Sequence, residues 1–434
     1  MRKMKDSGIE WIGEIPESWD TIRVKHLATE KDTLFLDGDW INSDVIVDEG
    51  IRYLTSGNVG EGFYKEQGKG YISEETFNKL NCLTVYPGDL MISRLNEPVG
   101  RCCIVPKGED YYVVAVDNVI LRPNHDFHKK YLLYCMNTTG YARAALMASS
   151  GTTMQRISRT SLGNMAVPVA TYEEQTCIAD YLDKKCAEID AIIAAKEKTN
   201  ELLKERRQSI IYEAVTKGLD PTVPMKDSGI EWIGEIPESW DCKKIKYAFT
   251  LLAGATPKSG NEEYWDGDIV WITPADYTTE DMYIYAGHKT ITDEGLNSCA
   301  TTIIPEESII FSKRAPIGLV AINKVPLCTN QGCISCIPNK DVDSKFYYYV
   351  MSAFTKEFDL FGSGTTFKEI SAEAFANFVL PYTAIEEQKE IAADLDLKCQ
   401  EINCLISYNN STIEKLKEYR QSVIYEAVTG KVEI

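Results

Sequence analysis

The chain has 434 residues, 44% of them hydrophobic, with 46 Lys and Arg against 65 Asp and Glu and a net charge of −19. That length provides for two or three domains with sizeable cores, and the apolar fraction is that of a globular chain, with no disorder to invoke. No window approaches the ~18 continuous apolar residues of a membrane span, and Met-Arg-Lys-Met-Lys-Asp at the start lacks the apolar run of a secretory signal, so the expected compartment is the cytoplasm.

The first element is the segment MKDSGIEWIGEIPESWD at Met4–Asp20, which returns unchanged at Met225–Asp241. A second echo pairs Glu205–Thr216 (ERRQSIIYEAVT) with Glu418–Thr429 (EYRQSVIYEAVT), ten of twelve positions being identical. The offset is 221 residues at the first echo (225 − 4) and 213 at the second (418 − 205), so eight residues were gained or lost between them. Two copies at so long a period exclude a solenoid and indicate a tandem pair of homologous domains.

Between the echoes the copies diverge, roughly over 21–149 and 242–362. In the first copy, short β-rich runs at Asp89–Ser93, Cys102–Val105, Tyr111–Ala115 and Val119–Leu121 alternate with Gly, Pro, Asn and Asp turns. A helix is predicted over Lys129–Ser149. The second copy predicts strands at Ile269–Ile272, Ser308–Ser312, Gly318–Ile322 and Cys333–Ile337 and a helix over Lys345–Asp359. Each variable region is therefore mixed α/β.

From Glu173 to Thr216 the pattern becomes that of one long helix. Ile178, Leu182, Ile189, Ile192, Leu203 and Ile210 recur at spacings of three, four and seven or their sums, with no proline or glycine between. Thr171 or Glu173-Glu174 supplies the start, and Gly218 with Pro221 the end. The second copy repeats the seam at Ile391, Leu395, Ile402, Leu405, Leu416 and Val423. A helix of ~66 Å with a narrow apolar stripe cannot bury it alone, so an antiparallel pair is predicted. The second helix would end where the Met4 segment can complete the junction that Val223-Pro224 makes in the first. The predicted fold class is α+β: two mixed α/β domains separated by two long antiparallel coiled-coil helices in a pseudo-twofold, circular arrangement. The predicted boundaries are 1–172, 173–218, 219–385 and 386–434, domain and helix alternating.

Catalytic motifs are missing. There is no GxxxxGK[ST] loop, GxSxG elbow, HExxH or helix-opening GxGxxG, and no acidic-Pro-Pro-aromatic tetrapeptide of an amino-methyltransferase. The thirteen scattered cysteines, an odd count, read as reduced core thiols. Cys333 and Cys336 form one CxxC without a matching second pair, so no metal is expected. A non-catalytic chain is the reading.

Binding residues are better represented. Polar loops carry Ser56, Asn58, Arg94, Asn96, Arg101, Thr152, Thr153, Gln155 and Arg156 in the first copy. The second carries Lys258, Lys313, Arg314, Asn330, Gln331, Thr365, Thr366 and Lys368. Such side chains read phosphates and base edges. Gln155 aligns with Lys368 and Arg156 with Glu369, a divergence suited to two domains reading different sequences. The span 127–172 holds five basic residues and no acid, whereas 219–385 holds 13 basic and 23 acidic residues. The repeated Trp11, Trp19, Trp232 and Trp240 stand among glutamates that DNA would repel. With Arg207, Tyr212, Arg420 and Tyr425 of the repeated helix ends, they are expected to serve structure or partner contact.

These residues converge on a family. IEWIGEIPESWD at both domain starts, DGDWINSD at Asp37–Asp44, EGIRYLTSGNV at Glu49–Val59, GDLMISRLNEPVGR at Gly88–Arg101, SKRAPIG at Ser312–Gly318, TNQG at Thr329–Gly332, the GTT loops and the EEQ helices ending RQSxIYEAVT resemble the specificity subunit of a Type I restriction–modification system. The resemblance covers essentially the whole chain. It implies two target recognition domains, each reading one half of a bipartite site in double-stranded DNA, with the paired helices as a ruler. It also implies two methyltransferase subunits, which would carry S-adenosylmethionine, and restriction–translocase subunits using ATP and Mg, while this chain carries no cofactor. The acidic balance favours a rival, an acidic scaffold or DNA mimic that gathers partners without reading DNA.

Overall fold

The computed structural model describes residues 2–95, 98–151, 154–279, 281–363 and 368–434. The chain divides into two compact units, Met1–Lys196 with Asn410–Ile434, and Glu197–Asn409. Each unit holds one variable region together with parts of both long helices.

Those helices span Tyr172–Lys217 and Ile385–Val428. Thr171 caps the first: its hydroxyl accepts from the Glu174 amide at 3.3 Å while the Glu174 carboxylate accepts from the Thr171 amide at 3.3 Å. Gly218 and Gly430 end the helices at φ of +74° and +69°, a left-handed cap that glycine adopts without strain. Within the first unit the helices are joined by Arg420 to Asp190 at 3.0 Å. Within the second, Arg207 donates to Asn403 at 2.7 Å and Asn409 to Asn200 at 2.9 Å. In these pairs the number rises on one helix as it falls on the other, so the pairing is antiparallel.

The predicted seam is only partly apolar packing between helices. Ile178, Leu182 and Ile189 are buried, as are Ile391, Leu395 and Ile402, but Ile192 is 47% and Leu405 52% exposed. Near the middle the amide pair Asn200–Asn409 takes over, a polar contact of the kind that fixes helix register. Towards their ends the stripes enter domain cores instead. Ile178, Leu182, Val423, Ile424 and Val428 join the first unit's core with Trp19 and Tyr131, and Ile211, Val215, Ile391 and Leu395 join the second's with Trp240 and Phe346.

In the first unit an antiparallel four-stranded sheet orders Leu34–Asp37, Asn118–Arg122, Leu90–Ser93 and Cys102–Ile104. In the second, a five-stranded sheet orders Phe249–Ala253, Cys333–Pro338, Ile309–Ser312, Val320–Asn323 and Tyr283–Ile284. The central pairs match: Asn118 lies opposite Ser93, and Cys333 opposite Ser312. The second unit's sheet explains the CxxC, since Cys333 and Cys336 lie on a buried central strand and burial pushes the Cys333 thiol up to about 12.

Each predicted domain helix is divided in two. Lys129–Met136 gives way to Thr139–Met147 because the Thr138 hydroxyl caps a new start, accepting from the Tyr141 amide. Ser344–Ala353 is likewise followed by Thr355–Leu360. The identical segments form hairpins, Met4–Asp6 with Glu14–Pro16 and Met225–Asp227 with Glu235–Pro237, in the same register.

Candidate nucleic-acid interface

In the first unit four chain segments are laced along one edge by backbone hydrogen bonds. The strand Leu34–Asp37 leads into Gly38, which donates to the Asn118 carbonyl at 2.9 Å, and Asp39 donates to Val114 at 2.7 Å. A β-carbon on Gly38 would lie 2.2 Å from the Val114 oxygen, so only glycine permits this approach. Arg94 donates its amide to Asp117 at 2.9 Å, Ile157 donates to Arg94 at 3.0 Å, and Ser150 and Arg156 exchange two bonds of 2.9 Å. The residues about 38–40, 94–95, 115–117 and 150–156 are thereby fixed together.

The second unit builds the same edge from different residues. Gly254 makes the close approach, its β-carbon position lying 2.2 Å from the Asn330 oxygen. Ala255 donates to Thr329 at 3.0 Å, Lys313 to Gly332 at 2.9 Å, Ile370 to Lys313 at 2.9 Å, and Ser363 and Glu369 exchange two bonds of 3.0 Å. Leu95 bridges Arg156 in one unit and Arg314 bridges Glu369 in the other. The backbone frame is shared, whereas the side chains on it are not.

On this frame Arg156 reaches Asp117 at 2.8 Å and remains 46% exposed. Arg159 lies 3.5 Å from Asp37. In the second unit Glu369 receives Lys313 and Arg314, each at 2.8 Å. Gln331 accepts from Thr256, and Lys368 pairs with Asp359 at 2.6 Å. Asn330 is half-buried and accepts from the Gly332 amide at 2.8 Å, and Lys258 is exposed. Gln155 accepts from Ser149 at 2.6 Å, and Ser56 is half-buried, its carbonyl accepting from Arg101. Asn96, Thr152, Thr153, Thr365 and Thr366 lie outside the described residues.

Three predicted base readers are corrected by their burial. Asn58 is 1% exposed; its oxygen accepts from the Thr55 amide, and its nitrogen donates to Lys65 and Gln67 carbonyls at 2.9 and 2.8 Å. Arg101 is 9% exposed and donates to the carbonyls of Val59, Leu95, Pro98 and Ser56. Arg94 is 7% exposed, donates to the Val116 carbonyl at 2.6 Å and sits 3.4 Å from Asp37. Burial holds both guanidinium groups below their ordinary pKa. These side chains brace the loops from inside.

The residues expected to meet partners are also mostly internal. Trp19 and Trp240 are buried, at 1% and 0% exposure, which agrees with the structural side of their expected role and corrects the partner-contact side. Trp11 is half-buried edge-on to Tyr141, and Trp232 stacks on Phe378 at 5.0 Å. Tyr425 donates to the Ile12 carbonyl at 3.1 Å, and Tyr212 to those of Trp232 and Ile233 at 3.3 Å. Arg207 hydrogen-bonds and Arg420 ion-pairs between the helices.

One duplicated feature has no obvious signal in the sequence. Asp183 of the first long helix receives Lys130 and Tyr134, and Asp396 of the second receives Lys345 and Tyr349. Gln175 and Gln388 repeat a second latch, each accepting a domain amide, from His128 and Asp343, and donating to two carbonyls. Both latches hold a domain to its own helix. On the edge itself, sequence reasoning missed Asp117, Thr256 and Trp40, which is 72% exposed beside the Gly38 turn. An exposed tryptophan in the polar run DGDWINSD was the available clue.

A family model described as the Type I restriction modification DNA specificity domain matches residues 16–204 and again 237–415. This chain belongs to the Type I restriction–modification DNA specificity family. It is a DNA-recognition subunit with two specificity domains, and the reading as an acidic scaffold has no support. Among similar specificity subunits, the Type I restriction enzyme MjaIX specificity subunit of Methanocaldococcus jannaschii is 38% identical over 202 residues, 45% of this chain and 43% of that protein. The chain thus matches under half the length of that relative. The HindI specificity subunit of Haemophilus influenzae is 24% identical over 403 residues, 80% of this chain and 86% of that one. Among solved structures, a chain from work on complex assembly and conformational transition of the type I R-M system aligns at a TM-score of 0.75 and 15% identity. That alignment covers 96% of this chain and 99% of the other, and shows that the two share a fold.

Proposed function

We propose that each specificity domain reads one half of a bipartite site in double-stranded DNA, and that the antiparallel helices set the gap between the halves. The observation that carries this reading is the edge built twice. Two diverged sequences keep one backbone frame, with its close-approach glycines Gly38 and Gly254, and vary the side chains displayed on it. A fixed frame with variable polar groups is what direct readout of two different half-sites requires.

The functional division follows the domain–helix alternation 1–172, 173–218, 219–385 and 386–434. The chain supplies recognition and positioning, and two modification subunits supply S-adenosylmethionine chemistry on adenine. Restriction subunits supply ATP- and Mg-dependent translocation, and the assembly works in the cytoplasm. Among the described residues no helix is long and apolar enough to cross a membrane. Exposed Arg156, Arg314, Gln331 and Lys258 and half-exposed Lys368 are the proposed DNA contacts, joined by Ser56, Gln155, Lys313 and Asn330 at the loop margins.

Co-expression with the modification subunit, followed by single-molecule mapping of methylated adenines, tests the reading. A bipartite motif with a fixed unspecific gap supports it. A stable complex that leaves DNA unmethylated, or methylation at an undivided motif, overturns it.

A further inference from the structure

The frame places two residues of opposite charge at one equivalent position. Arg156 follows the first polar loop, exchanges backbone bonds with Ser150 and precedes Ile157, whose amide is fixed to the Arg94 carbonyl. Glu369 does the same with Ser363 and precedes Ile370, fixed to the Lys313 carbonyl. The counter-charges reverse as well. Arg156 rests on Asp117, whereas Glu369 rests between Lys313 and Arg314.

Neither pair consumes its side chain. A guanidinium offers five donors and a carboxylate about four acceptor sites. Arg156 meets Asp117 through Nη2, and Glu369 receives one donor on each oxygen. Arg156 is 46% exposed and Glu369 31%. Hydrogen bonding from Lys313 holds the Glu369 carboxyl below its ordinary value, so it is an ionised acceptor at neutral pH. The counter-charges aim each group while leaving it able to bond outward.

We propose that position 156/369 is a specificity-determining position in both domains, with opposite reading sense: Arg156 donates to the acceptor edge of guanine, and Glu369 accepts from an exocyclic amino group, cytosine N4 or adenine N6. This deepens the proposed function and rests on it. Glu369 thereby acquires a role that its acidity alone argued against, because a carboxylate repels phosphate yet is a good acceptor for a base amino group. The strongly acidic second domain reads DNA in part through a negative residue.

The test maps adenine methylation in cells co-expressing the full chain with its modification subunit, for wild type, Glu369→Gln and Arg156→Ala. Glu369→Gln relaxes one position of one half-site, about ten- to a hundredfold in discrimination, and the base at that position in wild type distinguishes cytosine from adenine. Arg156→Ala relaxes one guanine position in the other half-site. The second half-site and the gap stay fixed in each case. An unchanged motif in either variant overturns the assignment for that residue, as does uniform loss of methylation across all sites with an unchanged melting temperature. Should Glu369→Gln fail to fold, the counter-charge was structural and that arm is overturned. A wild-type chain without a bipartite motif would instead sink the function itself.

Discussion

Tyr425 donates its hydroxyl to the main-chain carbonyl of Ile12 at 3.1 Å, tying the end of the second long helix to the first hairpin. The duplicate contact, Tyr212 to Trp232 and Ile233, ties the first helix to the second hairpin. The unchanged hairpin and the nearly unchanged helix end are therefore two sides of one joint. A mutation on either side is felt by the other, which gives both segments a structural reason to resist change. Tyr425→Phe removes one net hydrogen bond and lowers stability by about 1 kcal/mol, and Tyr212→Phe does the same at its own joint. Urea unfolding of both variants checks this; no change in either would mean that the joint is held by apolar packing alone.

The two helix-capping glycines should differ in sensitivity. Both have positive φ, so alanine costs roughly 1–2 kcal/mol at each for the left-handed backbone. At Gly430 the new methyl would also lie 2.6 Å from Pro16, whereas at Gly218 its nearest neighbour is Trp240 at 3.5 Å. Gly430→Ala is therefore the more destabilising. Equal melting-point losses would show that the Pro16 ring shifts without cost.

The helices and their antiparallel pairing were legible because periodicity is a local signal, as was the α/β character of each domain. The placement of Ile178 and Val423 inside a domain core was not, since a stripe does not say what covers it. Loop arginines were misread for the same reason. Arg101 donates to carbonyls 42 and 45 residues away, at Val59 and Ser56, a destination that no sequence window contains. Arg156 and Arg94 look alike in the sequence and differ only in burial. The edge itself was visible as polar loops but not as a frame, because the bonds from Gly38 to Asn118 and from Arg94 to Asp117 join segments far apart in the chain.

Acid should weaken the second edge. Glu369 titrates below its ordinary value near 4.5 because Lys313 and Arg314 stabilise its charge. Its contribution is complete above that ordinary value and is lost as pH falls through the depressed one. The melting temperature of wild type should exceed that of Glu369→Gln by a constant margin above about pH 5, shrinking towards zero on further acidification. A margin independent of pH would remove the ion pairs as its source.

The ruler proposal makes a geometric demand. Deleting matched heptads from the middles of both helices keeps the apolar stripe in phase and removes ~10 Å of helix, about three base pairs of duplex at ~3.4 Å each. The ends of the stripes, which carry Leu182 and Leu395 into the domain cores, are untouched, as are the latches at Asp183 and Asp396. The methylated motif should keep both half-sites and shorten its gap. Deleting the heptad from one helix alone unpairs Asn200 from Asn409 and offsets the two stripes, so it should abolish methylation rather than reset the gap. If the matched deletion changes a half-site, recognition and spacing are not separable in this chain, and the helices do more than hold the domains apart.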